Sequence, residues 1–109
     1  MKISELQEKL GLKPLNKLHD KDIEGVYISD MVSDIVAGAQ PNNILLTIQT
    51  HKNLIATANL VDIAAVVFVR GKQPLPDVME LADRAEITLF STDLDAWKFA
   101  IKLHEIGIE

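Results

Sequence analysis

The chain contains no cysteine, which excludes a disulfide framework, a thiolate nucleophile and a Cys-based zinc site. It also lacks a long apolar run: no stretch approaches the roughly 20 residues that a bilayer-crossing helix needs. The start, Met1-Lys-Ile-Ser-Glu-Leu-Gln-Glu-Lys, carries charges where a signal peptide needs an apolar segment, so a cytoplasmic location is expected. Positive charge is scarce, with 11 Lys and Arg against 16 Asp and Glu and a net charge of −5. That balance argues against nucleic acid or an anionic membrane as a partner, since Lys and Arg contacts drive both. Sequence signatures of catalysis are missing too. There is no GxxxxGKS/T phosphate loop, no Gly-rich dinucleotide fingerprint, no HExxH, and no Ser-His-Asp order with a nucleophile elbow. These absences weigh against an enzyme, and no cofactor is expected.

What is present is the composition of an ordinary globular domain: 109 residues, 48% hydrophobic and 25% charged, enough for one domain spanning 1–109 with a real core. Ser4 is placed to cap a short helix bearing Ile3, Leu6 and Leu10, and Gly11 to end it. Residues 12–24 mix Pro14, spaced leucines and charges, with a short strand expected near Leu15 to Leu18. From Val26 the pattern becomes regular. Val26-Tyr-Ile leads into a helix carrying Met31, Val32, Ile35, Val36 and Ala39, closed by Gly38 and Pro41. Ile44-Leu-Leu-Thr-Ile leads into one carrying Leu54, Ile55, Ala58 and Val61. Ala64-Ala-Val-Val-Phe-Val, expected at the sheet centre, precedes Val78, Leu81, Ala82 and Ala85. Ile87-Thr-Leu-Phe precedes a last helix from about Asp93 to Glu105. Short continuous apolar strands alternating with helices predict an α/β fold, three layers α/β/α, with a mainly parallel sheet covered on both faces.

Each apolar run ends in a polar cluster: Ser29-Asp30, Gln49-Thr50-His51, Arg70-Gly71-Lys72 and Ser91-Thr92-Asp93. In an open parallel sheet these clusters share the carboxyl edge, where such folds place their ligands. The last helix bears two apolar stripes, Leu94, Trp97, Ala100 and Ile101 on one side and Phe99, Leu103 and Ile106 on the other. That arc is wider than one contact with a sheet covers. It predicts either a helix wedged between two neighbours or a homodimer surface.

The order of residues resembles the DRTGG domain family, including its small stand-alone members. The segments that carry the resemblance are ISDMVSDIVAGA, ILLTIQTHKNLIATANLVDIAAVVFVRGKQP and ITLFSTDLDAWKFAIKL, and it spans about Ile3 to Ile108. It implies a fold similar to the N-terminal domain of HPr kinase/phosphorylase and of Mur ligases. It also implies an accessory or regulatory role without kinase chemistry, and association in pairs. Where the family pattern has Asp-Arg this chain has His51-Lys52, and where it has Thr-Gly-Gly the chain has Arg70-Gly71-Lys72.

Residue types at the edge point to an anionic ligand. Helix starts at Ser29-Asp30, Thr50-His51 and Thr92-Asp93 would offer backbone N–H groups to a phosphate or carboxylate, and Lys52, Arg70 and Lys72 would add cations. The same Ser, Thr and Asp residues are ordinary N-caps, each contributing about 1 kcal/mol to the fold. His51, between Thr50 and Lys52 with Gln49 and Asn53 close by, is the strongest single candidate. The ligand-binding set expected is thus Ser29, Asp30, Gln49, Thr50, His51, Lys52, Asn53, Arg70, Gly71, Ser91, Thr92 and Asp93. His19 and His104 read as surface residues. Asp30 and Asp34, four apart, are a weak pair for Mg²⁺. Two functions follow: a homodimeric regulatory module sensing an anionic metabolite or nucleotide at this edge, or a scaffold that docks a protein partner through Trp97 or Phe99.

Overall fold

The computed structural model describes every residue from Met1 to Glu109. Its elements are α1 (Ile3–Leu10), β1 (Val26–Ile28), α2 (Val32–Gly38), β2 (Ile44–Thr47), α3 (Lys52–Leu60), β3 (Ala65–Phe68), α4 (Pro76–Arg84), β4 (Thr88–Ser91) and α5 (Ala96–Glu105). The strands lie in chain order, β1-β2-β3-β4, and every pair is parallel. Each crossover therefore steps one strand in the same direction. Crossovers of one hand put all three connecting helices on one face.

Strand alternation divides the core accordingly. Leu45, Val66, Phe68 and Leu89 point to the α2, α3 and α4 side, against Ile35, Leu54, Ile55, Ala58, Val78 and Ala82. Ile44, Leu46, Ala65, Val67 and Phe90 point to the other side, against Ile3 and Leu6 of α1 and Phe99 and Leu103 of α5. The result is the three-layer α/β/α arrangement expected, with β2 and β3 both interior. Phe68, Phe90 and Phe99 are fully buried, each contributing roughly 1.5–3 kcal/mol. No helix is long and apolar enough to cross a membrane.

Several local expectations are corrected. Ser4 lies inside α1, whose cap position is Lys2. A remote acid does the capping instead: Asp20 accepts the Ser4 N–H at 3.0 Å and its hydroxyl at 2.8 Å. The Ser4 N–H, then the Ser4 hydroxyl, hold the Asp20 carboxyl below its usual value. Gly11 ends α1 with φ of 64°, as the pattern required.

Residues Leu15 to Leu18 form no strand. One backbone bond, from Leu15 N–H to Leu89 C=O at 2.8 Å, holds this segment to the outer edge of β4, and side chains supply the rest. Asn16 Oδ1 accepts the Leu89 N–H at 2.8 Å while Asn16 Nδ2 donates to the Ile87 carbonyl at 2.8 Å. Pro14 and the polar run leave an edge cover in place of a fifth strand.

The last helix begins at Ala96, not Asp93, because Asp95 is its cap and accepts the Lys98 N–H at 2.8 Å. It is not wedged between two neighbours either. Phe99 and Leu103 enter the core, while Trp97 is 73% exposed and Ile101 is 39% exposed. Phe99 is therefore unavailable as a docking residue.

Candidate carboxyl-edge site

The parallel sheet brings all four polar clusters to one edge, and the chain there is tied together by its own side chains. Asp30 Oδ1 accepts the Thr47 hydroxyl at 2.9 Å and the Ile48 N–H at 2.8 Å, joining the end of β1 to the end of β2. Thr47 Oγ1 in turn accepts the Gln49 N–H at 3.0 Å, and Gln49 Oε1 accepts the His51 N–H at 3.1 Å. His51 caps α3, its Nδ1 accepting the Asn53 N–H at 3.1 Å. Nε2 makes no bond within the chain. Ser29 is not a helix cap: its Oγ accepts the Met31 N–H at 3.2 Å one turn before α2. Thr92 likewise forms a local turn, accepting the Leu94 N–H at 3.3 Å.

Beyond β3 the chain takes an unusual path. Arg70 has φ of 58° and Gly71 φ of 71°. Bonds from the Arg70 N–H to the Leu94 carbonyl and from the Gly71 N–H to the Thr92 carbonyl, both 2.8 Å, clamp this turn against the loop after β4. The other non-glycine residues with positive φ, Asn42, Asp62 and Glu86, sit in the turns that follow α2, α3 and α4 at the opposite edge. Arg70 is the one non-glycine residue that is left-handed at the carboxyl edge, a conformation that costs about 1 kcal/mol or more. Asp93 lies over the same turn, 3.2 Å from where a Gly71 Cβ would stand. Ser91 and Lys72 are joined through the Ser91 hydroxyl and the Lys72 carbonyl at 2.9 Å.

The expected site residues do not all converge. Asp30 and Arg70 line one cleft of about 330 Å³ at the carboxyl ends of β1, β2 and β3, together with Ile28, Thr47, Ile48, Asp95 and Trp97. Thr50, His51 and Lys52 line a separate depression of about 220 Å³ with Leu75, Asp77 and Val78, between the starts of α3 and α4 on the other face. Ser29 belongs with Met31 and Asp34 to a shallow, open recess beside α2 that Asp30 also lines. Gln49, Thr92 and Asp93 lie in the turns between them, Asn53 in the first turn of α3 and Ser91 at the end of β4. Asp30 and Asp34 share the recess beside α2 but bond to different partners. Asp34 accepts the Tyr27 hydroxyl at 3.0 Å, which is the main cause of the Tyr27 phenol's raised pKa, while Asp30 faces Thr47. No group of three or more His, Cys, Asp or Glu side chains gathers anywhere.

Sequence reasoning missed the cleft's far wall, Trp97 and Asp95, because α5 starts three residues later than expected. The exposed Trp97 stripe was the available signal. It also missed His19, a residue expected at the surface. Its side chain is 18% exposed and its Nε2 lies 2.9 Å from Asp83 Oδ1.

No protein-family model matches the chain, and no curated protein matches it either. Among solved structures, it is similar to the CBS and DRTGG domains of the regulatory region of Clostridium perfringens pyrophosphatase, complexed with its activator, diadenosine tetraphosphate. The identity is 15% and the TM-score 0.70, over 91% of this chain and 44% of that chain. The likeness is one of fold, and this chain spans less than half of the neighbour's length.

Proposed function

We propose that the chain is a non-catalytic regulatory module that senses an anionic small molecule, a nucleotide being the favoured class, at the carboxyl edge of its sheet and acts as a homodimer. The observation that carries this reading is the cleft where an exposed tryptophan, Trp97, and a cation on a strained turn, Arg70, line one hollow at the strand ends. An indole face suits a base, a guanidinium suits a phosphate, and the carboxyl edge is where open α/β sheets bind ligands. The DRTGG-like resemblance adds support. So does the neighbouring fold, which belongs to a regulatory region crystallised with a dinucleotide activator.

A thermal-shift screen against adenine and guanine nucleotides, diadenosine tetraphosphate and sugar phosphates tests this reading. Ligand at 100 times its Kd adds about 2.7 kcal/mol, a rise in Tm of roughly 10 °C or more for a domain of this size. Arg70→Ala reduces the rise, by about half for a tenfold loss of affinity. A flat screen overturns the reading.

A second reading, docking of a protein partner, is favoured by the exposure of Trp97 at 73% and Ile28 at 51%. Under it, Trp97→Asp abolishes partner capture while no nucleotide shifts the Tm.

A further inference from the structure

The nucleotide-sensing reading leaves open which end of the ligand the cleft grips. Phosphate-binding loops work by presenting several free backbone N–H groups to the anion. At this edge most of those donors are already used, and in the cleft the Ala96 and Trp97 N–H groups at the start of α5 are left without an acceptor. The Ile48 N–H goes to Asp30, Gln49 to Thr47, His51 to Gln49 and Asn53 to His51. Leu94 goes to Thr92 and Lys98 to Asp95. The Arg70 and Gly71 N–H groups point at carbonyls of the loop after β4. The cleft walls also hold one cation, Arg70, against two carboxylates, Asp30 and Asp95. A polyphosphate chain entering it would meet net like charge, with the two amides at the start of α5 and the Arg70 guanidinium enough for one phosphate rather than three.

The same walls are rich in acceptors and in apolar surface. Asp30 uses only Oδ1 for Thr47 and Ile48, and Asp95 uses only Oδ1 for Lys98, so the second oxygen of each carboxylate is without a partner. Trp97 and Ile28 supply exposed apolar faces beside them. A volume of about 330 Å³ lies at the small end for ligand pockets and accommodates one nucleoside.

We infer, resting on the nucleotide-sensing reading, that the cleft recognises a nucleoside or nucleoside monophosphate. The base lies against Trp97, the sugar hydroxyls donate to the free oxygens of Asp30 and Asp95, and a single phosphate meets Arg70 at the rim. Further phosphates stay outside and add nothing.

Trp97 is the chain's only tryptophan, so its fluorescence reports occupancy directly. Titrations with adenosine, AMP, ATP and inorganic tripolyphosphate are expected to give saturable change with adenosine and AMP, at Kd values within about tenfold, the scale of one charge-assisted contact. ATP is expected to bind no tighter than AMP, and tripolyphosphate to have no effect. Asp95→Asn and Asp30→Asn keep Oδ1 as the acceptor for the backbone but turn the free oxygen into a donor. Each is expected to weaken adenosine by about tenfold or more while retaining the wild-type circular dichroism spectrum. Tripolyphosphate competition, or ATP binding with adenosine silent, overturns this inference and leaves the sensing reading standing. Silence from every probe, together with a flat thermal-shift screen, overturns both. If either Asn variant fails to fold, the ligand series on the wild-type protein decides alone.

Discussion

Asp30 Oδ1 lies 2.9 Å from the Thr47 hydroxyl and 2.8 Å from the Ile48 amide nitrogen. A residue that closes β1 thus holds the end of β2, and Thr47 is itself only 1% exposed. Asp30→Ala leaves that hydroxyl and the Ile48 N–H without their acceptor. The expected cost is about 1–3 kcal/mol, read as a fall in Tm of roughly 5 °C or more. Asp30→Asn, which keeps the acceptor, is expected to lose less than half of that. Equal losses would show that charge and not the hydrogen bonds holds the two strand ends together.

The stripes of α5 predict opposite behaviour for two aromatic residues two positions apart. Phe99, 1% exposed, costs about 3–5 kcal/mol on change to Ala. Trp97, 73% exposed, changes stability by no more than about 0.5 kcal/mol. Urea unfolding of the two variants distinguishes them, and a large loss for Trp97→Ala would contradict the packing described.

Gly38 closes α2 under the Tyr27 ring, and a Cβ there would run into the ring carbons at 2.8 and 2.9 Å. Gly38→Ala gains up to about 1 kcal/mol of helix propensity but loses more to overpacking, typically 1–3 kcal/mol. A net fall in Tm is expected, and it should vanish in a Tyr27→Ala background. Persistence there would place the cost elsewhere.

The edge cover of residues 12–24 hangs on Asp83. Burial opposes ionisation of this carboxyl, yet hydrogen bonds from His19, the Lys17 N–H and Asn16, together with the charge of His19 when protonated, hold its pKa below the usual value. A depressed folded-state pKa means a contribution fully present above the unfolded value, near 3.9, and lost as pH falls through the lower folded one. Asp83→Asn is therefore expected to be less stable than wild type at pH 7, with the gap narrowing below about pH 4. Unfolding curves at pH 7, 4 and 2.5 measure it. A gap independent of pH would mean that the carboxylate's charge plays no part.

How far the fold was legible follows from what each signal reports. Continuous apolar runs such as Ile44-Leu-Leu-Thr and Ala65-Val-Val-Phe mark strands buried on both faces, and these fall where the pattern put them. Boundaries set by capping were less legible, because caps need not be local. Asp20 serves α1 from 16 residues away, and Asp95 outcompetes Asp93 at α5. Residues Leu15 to Leu18 read as a strand from their spaced leucines, whereas the segment covers the β4 edge through one backbone bond and the Asn16 side chain. The carboxyl edge itself was legible from topology alone. Its division into three separate hollows was not, since that depends on which way each turn folds after its strand. His51 and Arg70 turn to different faces for this reason.

The proposed ligand is of nucleotide type and sits at the carboxyl edge beside Trp97 and Arg70. The most direct test is a titration of the isotope-labelled protein with AMP, followed by backbone amide chemical shifts. Saturable shifts are predicted around Ile28–Asp30, Thr47–Ile48, Val69–Gly71 and Asp95–Trp97, with Gly25 and Gly107 at the opposite edge unmoved. Shifts confined to the amino edge, or none at AMP concentrations far above a millimolar Kd, would contradict it.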